Sequence, residues 1–192
     1  MNVSTLSNAE LASELLAPWA QHGPPAPQPF APLWASRAST PHHAVLEHKL
    51  HIARELLLRN MQSKLIGSPV MDSPKAVKEW LCLYCAGLPH EVFLVLYLDA
   101  KHRLIEGEEL FRGTLTQTSV YPREVVKGAL NRNAACVVLA HNHPSGDLSP
   151  SRSDELLTET LKSSLMLVDV RVLDHFIVGG DQVMSFAERG LL

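Results

Sequence analysis

The chain is short of cysteine, of long apolar runs and of any excess of one charge. Only Cys82, Cys85 and Cys136 occur in 192 residues. That odd count gives no disulfide framework and fits a reducing compartment. The longest apolar run, Val92 to Leu98, falls far short of the roughly 20 residues that a bilayer span needs. The chain opens Met-Asn-Val-Ser-Thr-Leu, with neither a basic leader nor an apolar signal core, so a cytoplasmic protein with no membrane partner is expected. Seventeen basic against 20 acidic residues give a net charge of −3. Bulk electrostatics therefore do not hold this protein on nucleic acid, although a local basic patch stays open. What is present is ordinary for a globular protein: 46% hydrophobic and 19% charged residues, enough for one full domain plus an extra segment.

Along the chain, residues 5–16 suit a short amphipathic helix. Seven prolines follow between Pro18 and Pro41. Proline fixes φ and removes donors, so this stretch reads as a semi-extended linker. Residues 1–44 are thus expected to form a Pro-rich, flexible arm, and 45–64 a connecting helix with Val45, Leu46, Leu50, Ile52, Ala53, Leu56 and Leu57 on one broad face. Asp72-Ser-Pro starts a second helix that continues from Ala76 to Cys85 and stops at Gly87 and Pro89. Residues 91–111 read as a hairpin whose first strand is buried on both faces. Gly113 to Thr118 reads as extended. A helix opens at Tyr121-Pro-Arg-Glu124 and runs to about Asn131. A short buried strand covers Ala134 to Ala140, a polar loop follows to Pro150, and Ser151 to Leu165 is helical. Val168 to Val178 reads as a last strand before Gly179-Gly180. The fold class is α/β: one mixed sheet with flanking helices, from about residue 65 to 192.

The chemistry sits in His141-Asn-His143-Pro-Ser-Gly-Asp-Leu-Ser-Pro-Ser151-Arg-Ser-Asp154. If the extended backbone continues past the buried strand, its period of two puts His141 and His143 on one side. Asp154, in the first turn of the next helix, can fold back as a third ligand. Two imidazoles and a carboxylate suit Zn²⁺ and leave a fourth position for water. Zinc lowers the pKa of such a water from ~15.7 to about 7. The reaction also needs a base and a group facing the oxyanion. Ser151, three residues before Asp154, shares its helix face.

Plainer readings stand beside these. Asp154 could be an acid placed to suit the helix macrodipole. Ser151 could be an N-cap, but Ser149 followed by Pro150 fits the cap pattern better, which would free Ser151 for chemistry. Glu91, taken alone, reads as a solvated strand-edge acid. Cys82 and Cys85 read as core packing rather than half of a structural zinc site. His175 is either a partner of the site or a buried histidine bonded to Asp174. Arg123 and Lys127 read as solvent-facing charges.

The pattern His141-x-His143-x7-Ser151-x2-Asp154 resembles the signature of the JAMM (MPN+) metalloprotease superfamily. Its surroundings resemble the bacterial RadC family more narrowly: Leu88-Pro-His-Glu91-Val-Phe, Leu110-Phe-Arg-Gly113-Thr, Tyr121-Pro-Arg-Glu124-Val-Val, Ala140-His-Asn-His-Pro-Ser-Gly146 and Leu173-Asp-His175. The resemblance covers about residues 45–192 and is most specific in the His-Asn-His-Pro-Ser-Gly block. It implies an MPN/JAMM (cytidine deaminase-like) catalytic domain over 65–192, with Glu91 as the proton-transferring glutamate and Ser151 facing the oxyanion. Full-length RadC proteins usually begin with a helix-hairpin-helix segment. Here Leu6-Ser-Asn-Ala-Glu-Leu11 resembles its start, and the Pro-rich stretch replaces the remainder, including the Gly-rich hairpin.

Two functions follow as expectations. One is a zinc metallohydrolase acting on a peptide or isopeptide carbonyl, with His141, His143 and Asp154 as ligands. The alternative is a DNA-repair-associated accessory protein whose metal site acts on a DNA-linked target or serves partner binding. Direct duplex binding fits poorly with the net charge and the missing hairpin, and steep salt dependence of DNA affinity would favour this alternative.

Overall fold

The computed structural model describes residues 3–18, 41–67, 69–70, 74–113 and 120–192. The Pro-rich stretch apart from its two ends, the Asp72-Ser73 helix start and the Thr-rich segment after Gly113 lie outside the described residues. The chain divides into two compact units, Met1–Asn60 and Met61–Leu192.

The first unit holds a 3-10 turn (Val3–Thr5), α1 (Asn8–Leu16) and most of α2, which runs Pro41–Leu65. Ser7 caps α1 in a reciprocal capping box with Glu10, satisfying two otherwise orphaned donors. Leu11 and Ile52 are fully buried. Arg59 donates to the main-chain oxygens of Leu6 at 2.6 Å and Ser4 at 3.0 Å, and Lys49 to those of Leu15 and Ala17 at 2.8 and 2.7 Å. Residues 3–17 therefore depart from the flexible arm expected of 1–44: α1 has an apolar residue to bury, and α2 supplies the cover. Helix α2 itself is longer at both ends than the expected 45–64.

The second unit is built on a five-stranded sheet. Its elements are α3 (Pro74–Cys85), β1 (Val92–Leu98), β2 (Leu104–Arg112), α4 (Pro122–Asn131), β3 (Cys136–Asn142), α5 (Arg152–Met166), β4 (Arg171–Gly179) and β5 (Gln182–Ser185). The strand order is β2-β1-β3-β4-β5. Within the sheet, among the described residues, β3 and β4 are the one pair of strands that runs parallel, and α5 forms the crossover between them, as a parallel pair requires. This is the mixed α/β sheet with flanking helices expected from the sequence.

Every residue of β1 and β3 is buried, which explains why both read as continuous apolar runs rather than alternating ones. On one face Phe93, Val95, Tyr97, Val137 and Leu139 pack with Val125 and Ala129 of α4 and with Leu161 and Leu165 of α5. β2 is an edge strand carrying Glu106, Glu108, Glu109 and Arg112, charges that discourage pairing with other chains. Two boundaries and one strand differ from the sequence reading. β3 extends two residues further, through His141 and Asn142. β4 begins at Arg171, because Asp169 adopts φ +59° and turns the chain just before it. The hairpin strand β5 was not expected at all. Among the described residues no helix is long and apolar enough to cross a membrane.

Candidate metal centre

His141 is the last residue but one of β3, and the parallel hydrogen bonding continues past the strand: the His143 N–H donates to the Val178 carbonyl at 2.8 Å. The backbone thus stays extended, and the two imidazoles emerge on one side, as the period of two requires. Their Nε2 atoms lie 3.0 Å apart. Asp154 reaches back from the first turn of α5, with Oδ1 3.4 Å from His141 Nε2 and Oδ2 3.6 Å from His143 Nε2. One donor atom from each of the three lies within 4.8 Å of the others. Their side chains are 8%, 14% and 16% exposed, so the cluster is shielded yet open to solvent.

The side chain between the histidines points the other way and does a different job. Asn142 Oδ1 accepts from the Val92 N–H at 2.7 Å, and its Nδ2 donates to the His90 carbonyl at 3.1 Å. Glu91 is therefore held from both neighbours, and its own carbonyl accepts from Gly113 N–H at 2.8 Å. Phe93 pairs with His141 across β1 and β3, which sets Glu91 two residues before that pair. The charge of Glu91 reaches His143 and helps to raise its pKa, behind the larger effect of the hydrogen bond to Asp154.

The loop from Pro144 to Ser151 is folded on its own polar groups. His143 Nδ1 lies 2.7 Å from the Asp147 carbonyl. A carbonyl only accepts, so Nδ1 carries a proton and Nε2 is the ring nitrogen turned toward Asp154 and the cluster. Gly146 turns the loop at φ +81°, and its carbonyl packs so closely on Gly179 that a Cβ there would lie 2.5 Å from it.

Ser151 corrects the sequence reading. It, and not Ser149, is the N-cap of α5: its Oγ accepts from Asp154 N–H at 3.2 Å, while its own N–H and hydroxyl each reach Asp154 Oδ2 at 2.7 Å. Asp154 at the third helical position completes a capping box, which outweighs the local Ser-Pro pattern. Burial alone would raise the Asp154 pKa. The contacts with His141 and His143 and the hydrogen bonds from Ser151 more than offset this and hold it far below the usual carboxylate range.

His175 resolves toward the site. Its ring is fully buried, with Nε2 2.8 Å from His141 Nδ1. Asp174 instead takes the His175 main-chain N–H, the Ser185 hydroxyl and the Ala187 N–H. Thr158, which the sequence reading did not single out, lies 2.6 Å from His175 Nδ1. The signal for it was present: Thr158, Leu161 and Leu165 form the buried stripe of α5, and a hydroxyl on such a stripe needs a polar partner. The three cysteines are free thiols and lie outside the cluster. Arg123 and Lys127 pair at the surface with Glu124.

The donor set fits a metal ion. Two imidazole nitrogens and a carboxylate held ionised converge on one point, and imidazole with carboxylate is donor chemistry that suits a divalent transition metal. Beside His143 a recess of about 130 Å³ is lined by Leu88, Asn142, Pro144 and Val178 among others.

Comparison with known proteins agrees with this geometry. The family described as the RadC-like JAB domain matches residues 71–191. The chain is similar to a UPF0758 protein of Leptothrix cholodnii (62% identical over 144 residues, 75% of this chain and 65% of the relative). It is likewise similar to UPF0758 proteins of Methylibium petroleiphilum (64% identical, 72% of this chain and 62% of the relative) and Nitrosomonas eutropha (56%, 75% and 64%). The chain spans somewhat less than two thirds of the length of these curated relatives. With a JAB-type domain occupying most of its length and a His-His-Asp cluster at the end of β3, the chain belongs to the RadC family.

Proposed function

We propose that this chain is a zinc-dependent metallohydrolase that cleaves a peptide or isopeptide bond. The observation that carries the reading is the convergence of His141, His143 and Asp154 within 4.8 Å. Two imidazoles and one carboxylate are a zinc set of the open, catalytic kind, since a closed structural site needs four protein ligands. When bound, the ion supplies Lewis acidity, which polarises a carbonyl and brings a water into the range where it reacts near neutral pH.

The remaining steps belong to side chains. Glu91 takes a proton from the attacking water and returns it to the departing amine nitrogen, the double duty of a general acid and base. Its main chain is clamped through Asn142 and Gly113, which limits its drift relative to the histidines. Ser151 is exposed, so its hydroxyl can turn from Asp154 to the oxygen of a substrate carbonyl and stabilise the charge that develops there. The recess beside His143 supports a role in receiving the substrate next to the reacting bond.

The test pairs metal analysis with hydrolysis of a peptide and isopeptide library on the same samples. One equivalent of zinc, cleavage abolished by chelation, and a Glu91→Gln variant that keeps zinc but loses activity by a factor on the order of 10²–10⁴ are expected. Zinc-loaded protein that cleaves nothing, or Glu91→Gln at full rate, overturns the reading or the role of Glu91 respectively.

A further inference from the structure

Two side chains behind the cluster, Thr158 and His175, form with His141 a chain whose protons can be assigned one by one. Thr158 Oγ1 lies 2.6 Å from the main-chain carbonyl of Asp154 and 2.6 Å from His175 Nδ1. The carbonyl has no proton, so the hydroxyl donates to it. A hydroxyl has a single proton, so toward His175 it accepts, and His175 Nδ1 carries the hydrogen. The His175 ring is fully buried, between the stacked ring of Phe186 at 4.8 Å and the edge contact of Phe93 at 5.7 Å. A ring enclosed this completely between apolar faces is held neutral, because a charge buried there would be costly. A neutral ring with its proton on Nδ1 presents a lone pair at Nε2, and His141 Nδ1 stands 2.8 Å from that atom. His141 must donate there.

We propose that Thr158 and His175 are positioning residues that lock His141 in its Nδ1–H tautomer, so that the Nε2 lone pair of His141 is committed to the metal cluster. The inference rests on the metal reading above and deepens it. The freed atom is the one that faces His143 Nε2 at 3.0 Å and Asp154 Oδ1 at 3.4 Å. The reversed chain, with every proton shifted toward the cluster, would leave the Thr158 and Asp154 oxygens 2.6 Å apart with no proton between them, a repulsive contact. It would also place a hydrogen on His141 Nε2, where a ligand lone pair is required. The chain starts on the main chain of Asp154, so one segment of α5 supplies the third ligand and orients the first. His143 obtains the same tautomer independently, from the Asp147 carbonyl. Partners of this kind fix ring orientation and raise ligand basicity.

The experiment uses the full chain with ¹⁵N-labelled histidine. Long-range ¹H–¹⁵N spectra at neutral pH are expected to show His141 and His175 protonated at Nδ1 in the wild type. Zinc affinity, measured by competition with a chromophoric chelator, is expected to fall about 10- to 100-fold in His175→Phe, which keeps an aromatic ring but no acceptor. A smaller loss is expected in Thr158→Val. His175→Gln, whose amide oxygen takes the place of Nε2, should recover most of the affinity. A wild-type spectrum with His141 protonated at Nε2 overturns the proposal, as does a folded His175→Phe that binds zinc like wild type. If His175→Phe does not fold, the wild-type spectrum and Thr158→Val decide. If wild type takes up no zinc, the metal reading fails, and the tautomer is still read from the spectrum.

Discussion

Asp154 Oδ2 receives two hydrogen bonds from Ser151, one from its N–H and one from its hydroxyl, both at 2.7 Å. The carboxylate that completes the candidate metal cluster is thus also half of a helix cap. Ser151→Ala removes the hydroxyl from both roles. The metal-free protein is expected to lose about 1 kcal/mol in urea unfolding, the usual cost of a lost cap. Zinc affinity should fall together with stability, because Asp154 loses an orienting contact. An unchanged unfolding midpoint would show that the cap contributes nothing.

Gly179 sets the position of the loop that follows His143. A Cβ at residue 179 would lie 2.5 Å from the Gly146 carbonyl oxygen and 2.9 Å from its carbon. Main-chain atoms cannot rotate away as a side chain can. Gly179→Ala is expected to displace the Gly146–Asp147 turn, and with it the carbonyl that holds the His143 ring. A loss of roughly 1–3 kcal/mol, typical of overpacking, and at least tenfold weaker zinc binding are expected by calorimetry. Wild-type affinity in this variant would mean that the turn is not needed to orient His143.

Tyr84 and Tyr97 should resist ionisation at alkaline pH. For both phenols burial is the largest cause of a raised pKa, reinforced by Glu109 at Tyr84 and by Glu108 at Tyr97. The folded state then holds these protons above pH 10, the ordinary phenol value, where the unfolded state has released them. Stability from these groups is complete below pH 10 and declines as pH rises beyond it. Ultraviolet titration should show both phenols ionising only well above that value, or together with unfolding. Reversible ionisation of all three tyrosines near pH 10 in folded protein would refute this.

The parts legible in the sequence were those set by local pattern. The run Val92 to Leu98 read as a strand because both of its faces are covered, and the convergence of His141, His143 and Asp154 was expected from strand period and spacing. β5 was not legible: its four residues carry only two apolar side chains, and pairing with β4 defines it. The cap of α5 was misread because Ser149-Pro150 is the better local motif, while the capping box depends on the side chain of Asp154. The Thr158–His175–His141 chain joins residues 17 and 34 positions apart, a separation that no periodicity encodes.

Helix α5 aims its amino end at the cluster, with Asp154 in its opening turn. The aligned peptide units there act like about half a positive charge. A cation held by His141, His143 and Asp154 is therefore held against a repulsive field, while negative charge gathering beside it is drawn in. The helix would weaken the grip on such an ion and strengthen the attraction for an anion beside it, an exchange that suits the proposed reaction better than storage.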